Sequence, residues 1–174
     1  MVAEITVQTP NGEIDYEGDA RIDGAPGYSA PIKINFLDTA GSVAGSLLPT
    51  GNVVDVFSIE GVGDLQATCI DNGMPMVLVR ASDMHRSAYE SVADLNQDAD
   101  LIAEIEELRL QAALKMGLGD VSGKNYPKMC LLNSPINGGA IHTRCYIPHV
   151  CHDAIGVLAA VTVATACVLP GSVA

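Results

Sequence analysis

The chain has 174 residues, of which 48% are hydrophobic, 4% aromatic and only 17% charged, a balance that predicts a single domain, 1–174, with one aliphatic core. A formal net charge of −12 argues against a nucleic-acid surface, which needs clustered Lys and Arg. The longest apolar stretch, Ala154 to Leu169, has 16 residues, short of the ~20 that span a bilayer. We therefore expect neither a nucleic-acid nor a membrane partner.

Charge is unevenly distributed along the chain. Of its 21 acidic residues only Asp153 lies beyond residue 120, where Lys124, Lys128 and Arg144 also lie. The last third is therefore expected to favour anions. The five cysteines are irregularly spaced and the N-terminus lacks a signal-peptide pattern, so the sequence predicts a cytoplasmic protein with free thiols.

Short strands dominate the first half of the predicted structure. Residues 2–8 alternate like a strand, and Pro10-Asn11-Gly12 supplies turn chemistry before a second polar strand at about 14–22, which together predict a hairpin. Further strands are predicted at 32–37, 53–59, 65–70, 76–79, 129–133 and 140–146.

Two helices complete the predicted α+β fold. Apolar residues recur with helical spacing from about 99 to 116, with an Asp cap before them and Gly117 after them, which predicts an outer amphipathic helix. Within it, Glu106 and Glu107 beside Arg109 are interpreted as a solvated face. The run at about 153–168 is apolar on every side, so we expect a buried central helix.

The loop Leu47-Leu48-Pro49-Thr50-Gly51-Asn52 is the first candidate site. Gly51 permits close backbone approach, while the Thr50 hydroxyl, the Asn52 amide and successive N–H groups can donate to a carboxylate. The alternative is an ordinary tight turn between strands.

The segment Cys151-His152-Asp153 is the second candidate, because it opens the predicted central helix. Unpaired N–H groups and the helix dipole attract anions there, and Lys128 and Arg144 lie on preceding strands. The alternative is simple capping by His152 or Asp153. A Cys at a helix N-terminus has a lowered pKa, so Cys151 is kept as a candidate catalytic thiol.

A structural zinc site is the third candidate. Five potential ligands fall within a short stretch, namely His142, Cys145, His149, Cys151 and His152. Their spacing lacks a C-x-x-C pair, and an odd separation puts His142 and Cys145 on opposite faces of a strand. We therefore expect no metal. Cys69 and Cys167 are interpreted as small core residues.

Several ordered segments resemble the PrpF family, the methylaconitate and methylitaconate isomerases and 4-oxalomesaconate tautomerases. The similarity runs through Asp23-Gly24-Ala25-Pro26-Gly27, Ala30-Pro31-Ile32, Phe36 to Ser42, Leu47 to Asn52, Cys69-Ile70-Asp71, Met74-Pro75, Glu107-Leu108-Arg109, Met116-Gly117, Pro127-Lys128, and His152 through Ser172.

The resemblance implies a diaminopimelate-epimerase-like fold of two similar halves, each with strands wrapped round a central helix. The family's Asn-Cys-Gly-Asn and Ser-Lys motifs, which carry proton transfer, do not occur in this sequence. The chain is therefore expected to correspond to the second half, truncated at both ends, with a homodimer or a first domain as possible partners.

The implied activity is a cofactor-independent proton and double-bond shift in a small polycarboxylate such as 2-methylaconitate, methylitaconate or 4-oxalomesaconate. Thr50, Gly51, Asn52, Lys128 and His152 are the expected substrate-binding residues, and the chain alone is expected to be inactive. The alternatives are a catalytically silent anion-binding domain and a structural zinc module.

Overall fold

The computed structural model describes residues 1–22 and 25–174, which form two compact units, Met1–Thr39 and Ala40–Ala174. Asp23 and Gly24, which open one of the segments that resemble the PrpF family, lie outside the described residues.

The first unit is built on a two-stranded antiparallel sheet. Strand β1 (Val2–Thr6) pairs with β2 (Lys33–Leu37) from Val2↔Leu37 to Thr6↔Lys33. The predicted hairpin between 2–8 and 14–22 is therefore wrong. Pro10–Gly12 form a short 3-10 turn. The described part of the segment after it contributes an isolated bridge, Ala20↔Ser29, and its apolar residues Ile14, Tyr16 and Ile22 are exposed.

The second unit holds a five-stranded mixed sheet. Its strands are β3 (Asp55–Ile59), β4 (Gly63–Asp71), β5 (Pro75–Arg80), β6 (Lys128–Asn133) and β7 (His142–Tyr146), in that spatial order. Strands β5 and β6 are parallel, and the other neighbours are antiparallel. The crossover between β5 and β6 carries helices α1 (Val92–Gln97) and α2 (Ala99–Lys115), as a parallel connection requires.

Alternation along the strands gives the sheet two buried faces. The face toward α2 carries Ala67, Cys69, Val77, Val79, Met129, Leu131 and Tyr146. The opposite face, toward the last helix, α3 (Val157–Val168), carries Ile70, Met76, Leu78, Cys130, Leu132 and Cys145. Strands β5 and β6 are buried on both faces, which explains why their sequences are nearly continuous apolar runs.

Helix α2 occupies Ala99–Lys115, where the sequence predicts a helix at about 99–116. The Asp98 side chain caps it by accepting a hydrogen bond from the Leu101 N–H, and Gly117 ends it with a φ of 72°. A Gly in this left-handed conformation is a common helix terminator.

Helix α3 differs from the predicted central helix in length and burial. It begins at Val157 rather than Asp153, because the preceding chain pairs with β7 through the Tyr146↔Cys151 bridge. One side is buried, but Val157 and Val168 are 67% and 80% exposed. An apolar sequence predicts that burying the helix is favourable, but it does not predict how many sides are buried. In this unit α3 packs on the sheet through β4 and β5.

No helix among those the structure describes is long and apolar enough to cross a membrane.

Candidate functional site

One edge of the sheet in the second unit collects the predicted binding residues. It is formed by the end of β4, the start of β5, the start of β6 and the end of β7, and it is called the Lys128 edge below. Lys128 opens β6 opposite Met76 of β5. The Thr50–Asn52 loop enters β3 at the same edge, since β3 is antiparallel to β4.

The sheet brings these residues to a common edge without bringing them into contact. Strands β3 and β6 are separated by β4 and β5, and three strand spacings amount to about 14 Å. The loop and Lys128 therefore flank the edge rather than form one closed pocket.

Lys128 is the cation of this edge. Its side chain is half-buried, and alternation with Met129 directs it to the α3 side of the sheet. Within residues 1–22 and 25–174 it has no acidic partner within ion-pair distance. Its charge lowers the pKa of Cys145 on β7. A half-buried ammonium without a carboxylate partner favours an external anion.

The Thr50–Asn52 loop is partly held by its own hydrogen bonds. Gly51 has a φ of 79° and its N–H donates to Leu48 O at 3.0 Å. The Asn52 N–H donates to Thr50 Oγ1 at 3.3 Å, and the Asn52 amide donates to Asp55 Oδ1 at 3.0 Å. The loop is thus shaped by internal contacts, which use part of its predicted donor capacity.

Asp71 fixes the chain that precedes this loop, a role that the sequence analysis missed. The Val43 and Ala44 N–H groups each donate to Asp71 Oδ2 at 2.8 Å. The Gly41 N–H donates to Asp71 O at 2.8 Å, and the Asp71 N–H donates to Leu47 O at 2.9 Å. Oδ1 is buried and has no partner in the described part of the chain. The sequence signal for this role was an acid directly after the buried apolar pair Cys69-Ile70.

His152 and Cys151 do not open a helix, contrary to the prediction. The His152 N–H donates to Cys145 O at 2.7 Å, so this segment extends the β7 ladder. The imidazole is exposed, and its Nδ1 accepts from the Ala154 N–H at 2.9 Å. Helix α3 begins beyond them, with Gly156 as N-cap.

Cys151 lies in an environment unlike that of an activated thiol. It is 3% exposed, and its N–H donates to Asn96 Oδ1 at 2.7 Å. Burial raises the pKa of the Cys151 thiol, although Arg144 opposes the shift. The lowered pKa expected at a helix N-terminus is therefore not found.

A buried ion-pair network supports the Lys128 edge from the α2 side. Arg109 is fully buried and forms a two-point contact with Glu106, at 2.6 and 2.8 Å. Its Nη1 donates to Val121 O at 3.1 Å and to Tyr126 O at 3.0 Å. Arg109 thus holds the loop that leads directly into Lys128.

Glu106 also holds the loop after β7. Its Oε2 lies 2.9 Å from His149 Nε2. Burial tends to raise the pKa of Glu106, but Arg109 and His149 together hold it below its ordinary value. The interpretation of Glu106 beside Arg109 as a solvated face is wrong. The signal was that Arg109 follows Ile105 by one helical turn, on the buried face of α2.

The five residues weighed as zinc ligands have separate partners. His142 Nε2 is 2.8 Å from Ala88 O, and its ring stacks on Tyr89 at 4.0 Å between ring centres. His149 contacts Glu106, and Cys145 contacts Cys130. In the part of the chain that the structure describes, no three His, Cys, Asp or Glu side chains are grouped to hold a metal ion.

Comparison with known proteins gives a consistent group of relatives. The family model described as "PrpF protein" matches residues 1–174. The chain is 51% identical over its full length to 4-oxalomesaconate tautomerase from Pseudomonas putida, covering 47% of that protein. It is 52% identical over 99% of its length to (4E)-oxalomesaconate Delta-isomerase from a Novosphingobium species, again covering 47%.

A solved structure agrees with these sequence matches. The crystal structure of methylitaconate-delta-isomerase superposes with a TM-score of 0.84 at 29% identity, covering 98% of this chain and 49% of that one. The chain spans about half the length of the curated relatives it matches.

Proposed function

Because the chain belongs to the PrpF family, we propose that it supplies the carboxylate-binding part of an isomerase that shifts a proton and a double bond within a small polycarboxylate. A half-buried ammonium without an acidic partner carries this proposal. Of the nine Lys and Arg residues, Arg80, Arg86 and Arg109 form ion pairs with an acid in the described part of the chain. Lys128 is half-buried without such a partner, and this combination supports a role toward a ligand.

The proposed substrate is an oxalomesaconate-type tricarboxylate. The two relatives that are 51% and 52% identical are both named for oxalomesaconate, whereas the methylitaconate isomerase structure is 29% identical. Identity of this size over nearly the whole chain supports a shared substrate class, with 2-methylaconitate and methylitaconate as further members to test.

The proposed chemistry needs a base that removes a proton beside a carboxylate and an acid that returns one at another carbon. It requires no metal or organic cofactor. Cys151, the candidate catalytic thiol, is buried and has a raised pKa. We therefore assign these 174 residues to binding and orienting the substrate. Lys128 would hold one carboxylate and His152, beside the neighbouring strand β7, a second, while the Thr50–Asn52 loop would contact the end of a substrate that extends along the edge toward β3.

Binding can be tested by following a tricarballylate titration by NMR with the wild type, Lys128→Ala and Lys124→Ala. Lys124 is a matched control, because it lies in the same region but is exposed, with its Nζ 5.3 Å from the Tyr126 ring centre. We expect a Kd of about 1 mM for an open site. In Lys128→Ala, the loss of one charge-assisted contact should raise this Kd about tenfold. Equal binding by all three proteins would remove the proposed site.

Catalysis can be tested with a chimera in which this chain replaces the matched segment of the Pseudomonas putida tautomerase. We expect the chimera to tautomerise 4-oxalomesaconate and the 174-residue chain alone to exchange no substrate proton with deuterated solvent. A folded but inactive chimera would favour the silent binding domain. Exchange by the chain alone would place proton transfer on its own residues.

A further inference from the structure

Two buried thiols face each other across strands β6 and β7. Cys130 and Cys145 are direct partners in the antiparallel register, and their Sγ atoms are 3.1 Å apart. Cys130 is fully buried and Cys145 is 4% exposed. Both belong to the core on the α3 side of the sheet, and neither has a role in the proposed function.

The geometry suits a covalent bridge. Directly opposed residues of an antiparallel pair have Cα atoms about 4.5–5.5 Å apart, which lies within the span of about 4.4–6.8 Å seen for disulfides. The two sulfurs need to approach by about 1 Å to reach bonding distance. No strand has to move for this, since the register already pairs the two residues.

The other cysteines lack such a partner. Cys69 and Cys151 belong to the core on the α2 side, and Cys167 lies on helix α3. All five cysteines are free thiols in this structure. The pair on β6 and β7 is therefore the site at which oxidation can form a bond without refolding.

We propose that Cys130 and Cys145 form a cross-strand disulfide when the protein meets a hydroperoxide. The Cys145 sulfur attacks one peroxide oxygen, the O–O bond breaks, and a sulfenic acid and one water (or alcohol) form. The Cys130 sulfur then attacks Cys145 Sγ, the S–O bond breaks and a second water leaves. The two thiols lose two electrons and two protons, which reduce one peroxide.

The environment assigns the first attack to Cys145. The hydrogen bond shared with the Cys130 thiol lowers the pKa of Cys145, burial opposes this, and the Lys128 charge lowers it further. The pKa of Cys130 is raised by the same hydrogen bond and by complete burial. Cys145 is also the more exposed of the two. Hydrogen peroxide is small enough to reach such a sulfur, whereas a peptide disulfide is not.

Peptide mapping of the native 174-residue chain tests this proposal. The reduced protein is treated with hydrogen peroxide, alkylated and digested, with a parallel sample treated in urea. Trypsin releases Cys130 on residues 129–144, and cleavage after Tyr146 separates Cys145 from Cys151. We expect an intact mass lower by about 2 Da, the mass of the two hydrogens lost, and one bridged peptide pair joining Cys130 to Cys145.

Single variants supply the controls. Cys130→Ala should abolish the bridge and leave a sulfenic acid at Cys145, which is trapped by adding dimedone together with urea after the peroxide has been removed, because Cys145 is 4% exposed in the folded protein. Cys167→Ala should leave the bridge unchanged. The comparison of dimedone labelling requires that wild-type and Cys130→Ala protein have matching circular dichroism spectra, which shows that the variant is folded. Bridges to other cysteines, a bridge that forms only in urea, or oxidation of Cys145 without bridging in the native wild type would overturn the proposal.

Discussion

Replacing Arg109 with methionine removes a guanidinium that is fully buried beneath the loop leading to Lys128. The change leaves the Val121 and Tyr126 carbonyls without their donor and leaves Glu106 with His149 alone. Breaking a buried pair costs about 3–5 kcal/mol. Because the Glu106 side chain is 26% exposed, we expect the free energy of unfolding to fall by the lower part of that range, about 3 kcal/mol.

Arg80→Met is the matched control. Arg80 also pairs with an acid three residues along, Asp83, but the atoms are 3.8 Å apart and the side chains are 43% and 31% exposed. Exposed pairs of this kind contribute about 0–1 kcal/mol. Arg109→Lys keeps the charge but not the planar fork, so we expect a loss between those of the other two variants.

Urea unfolding followed by circular dichroism measures the difference. With an m value of about 2 kcal/mol/M, a loss of about 3 kcal/mol moves the midpoint down by about 1.5 M. The Arg80→Met midpoint should move by less than about 0.5 M. If Arg109→Met and Arg80→Met unfold at the same urea concentration, the buried network does not support the loop. If Arg109→Met is already unfolded without urea, the urea midpoints of Arg109→Lys and Arg80→Met are compared, and we expect the lower midpoint for Arg109→Lys.

Gly41→Ala should destabilise the chain more than Gly61→Ala in thermal melts. Both glycines have positive φ, at 66° and 80°, but a Cβ at Gly41 would collide with backbone, whereas none lies within 4 Å at Gly61; equal melting temperatures would contradict the close approach. Glu106 has a pKa lowered from the ordinary 4.5, so its stabilisation is present above that pH and is lost as the pH falls below it. Wild type should therefore lose more stability between pH 6 and pH 3.5 than Glu106→Gln, and parallel losses would count against the network. Burial, aided by Asp55, raises the pKa of Cys69 to about 12, so iodoacetamide at pH 8 should leave Cys69 unmodified in the native chain and label the partly exposed Cys167.

The sequence predicted the parts of the fold in which a local pattern and the tertiary environment agree. Helix α2 has apolar residues at helical spacing, an acidic cap and a terminating Gly, and all three signals concern the same segment. Strands β5 and β6 are short apolar runs between turn residues, and all five strands from β3 to β7 lie close to the predicted positions. Lys128 and the Thr50–Asn52 loop could be named as candidate binding residues from residue type and resemblance, and their role stays a prediction.

The errors concern long-range choices that local patterns do not determine. Strand β1 pairs with β2 (Lys33–Leu37) and not with the segment 14–22, which lies closer to it in the sequence. The central helix was predicted to begin at Asp153, although Cys151 just before it is bridged to β7 and α3 begins only at Val157. Local sequence does not show that Arg109 and Asp71 are buried, because they bind backbone groups that are distant in the sequence, such as Tyr126 O and the Val43 N–H.

The parallel contact between β5 and β6 has a consequence for how the Lys128 edge forms. Antiparallel neighbours such as β4 and β5 meet after a short turn, whereas Lys128 meets Met76 only after the crossover that carries α1 and α2 has closed. Closing a long loop costs entropy before the new contacts compensate for it. The ladder between β4 and β5 can therefore form early in folding, before the Lys128 edge exists. Lys128 acquires its position only when α2 has docked, with Arg109 holding the last stretch of the crossover in place.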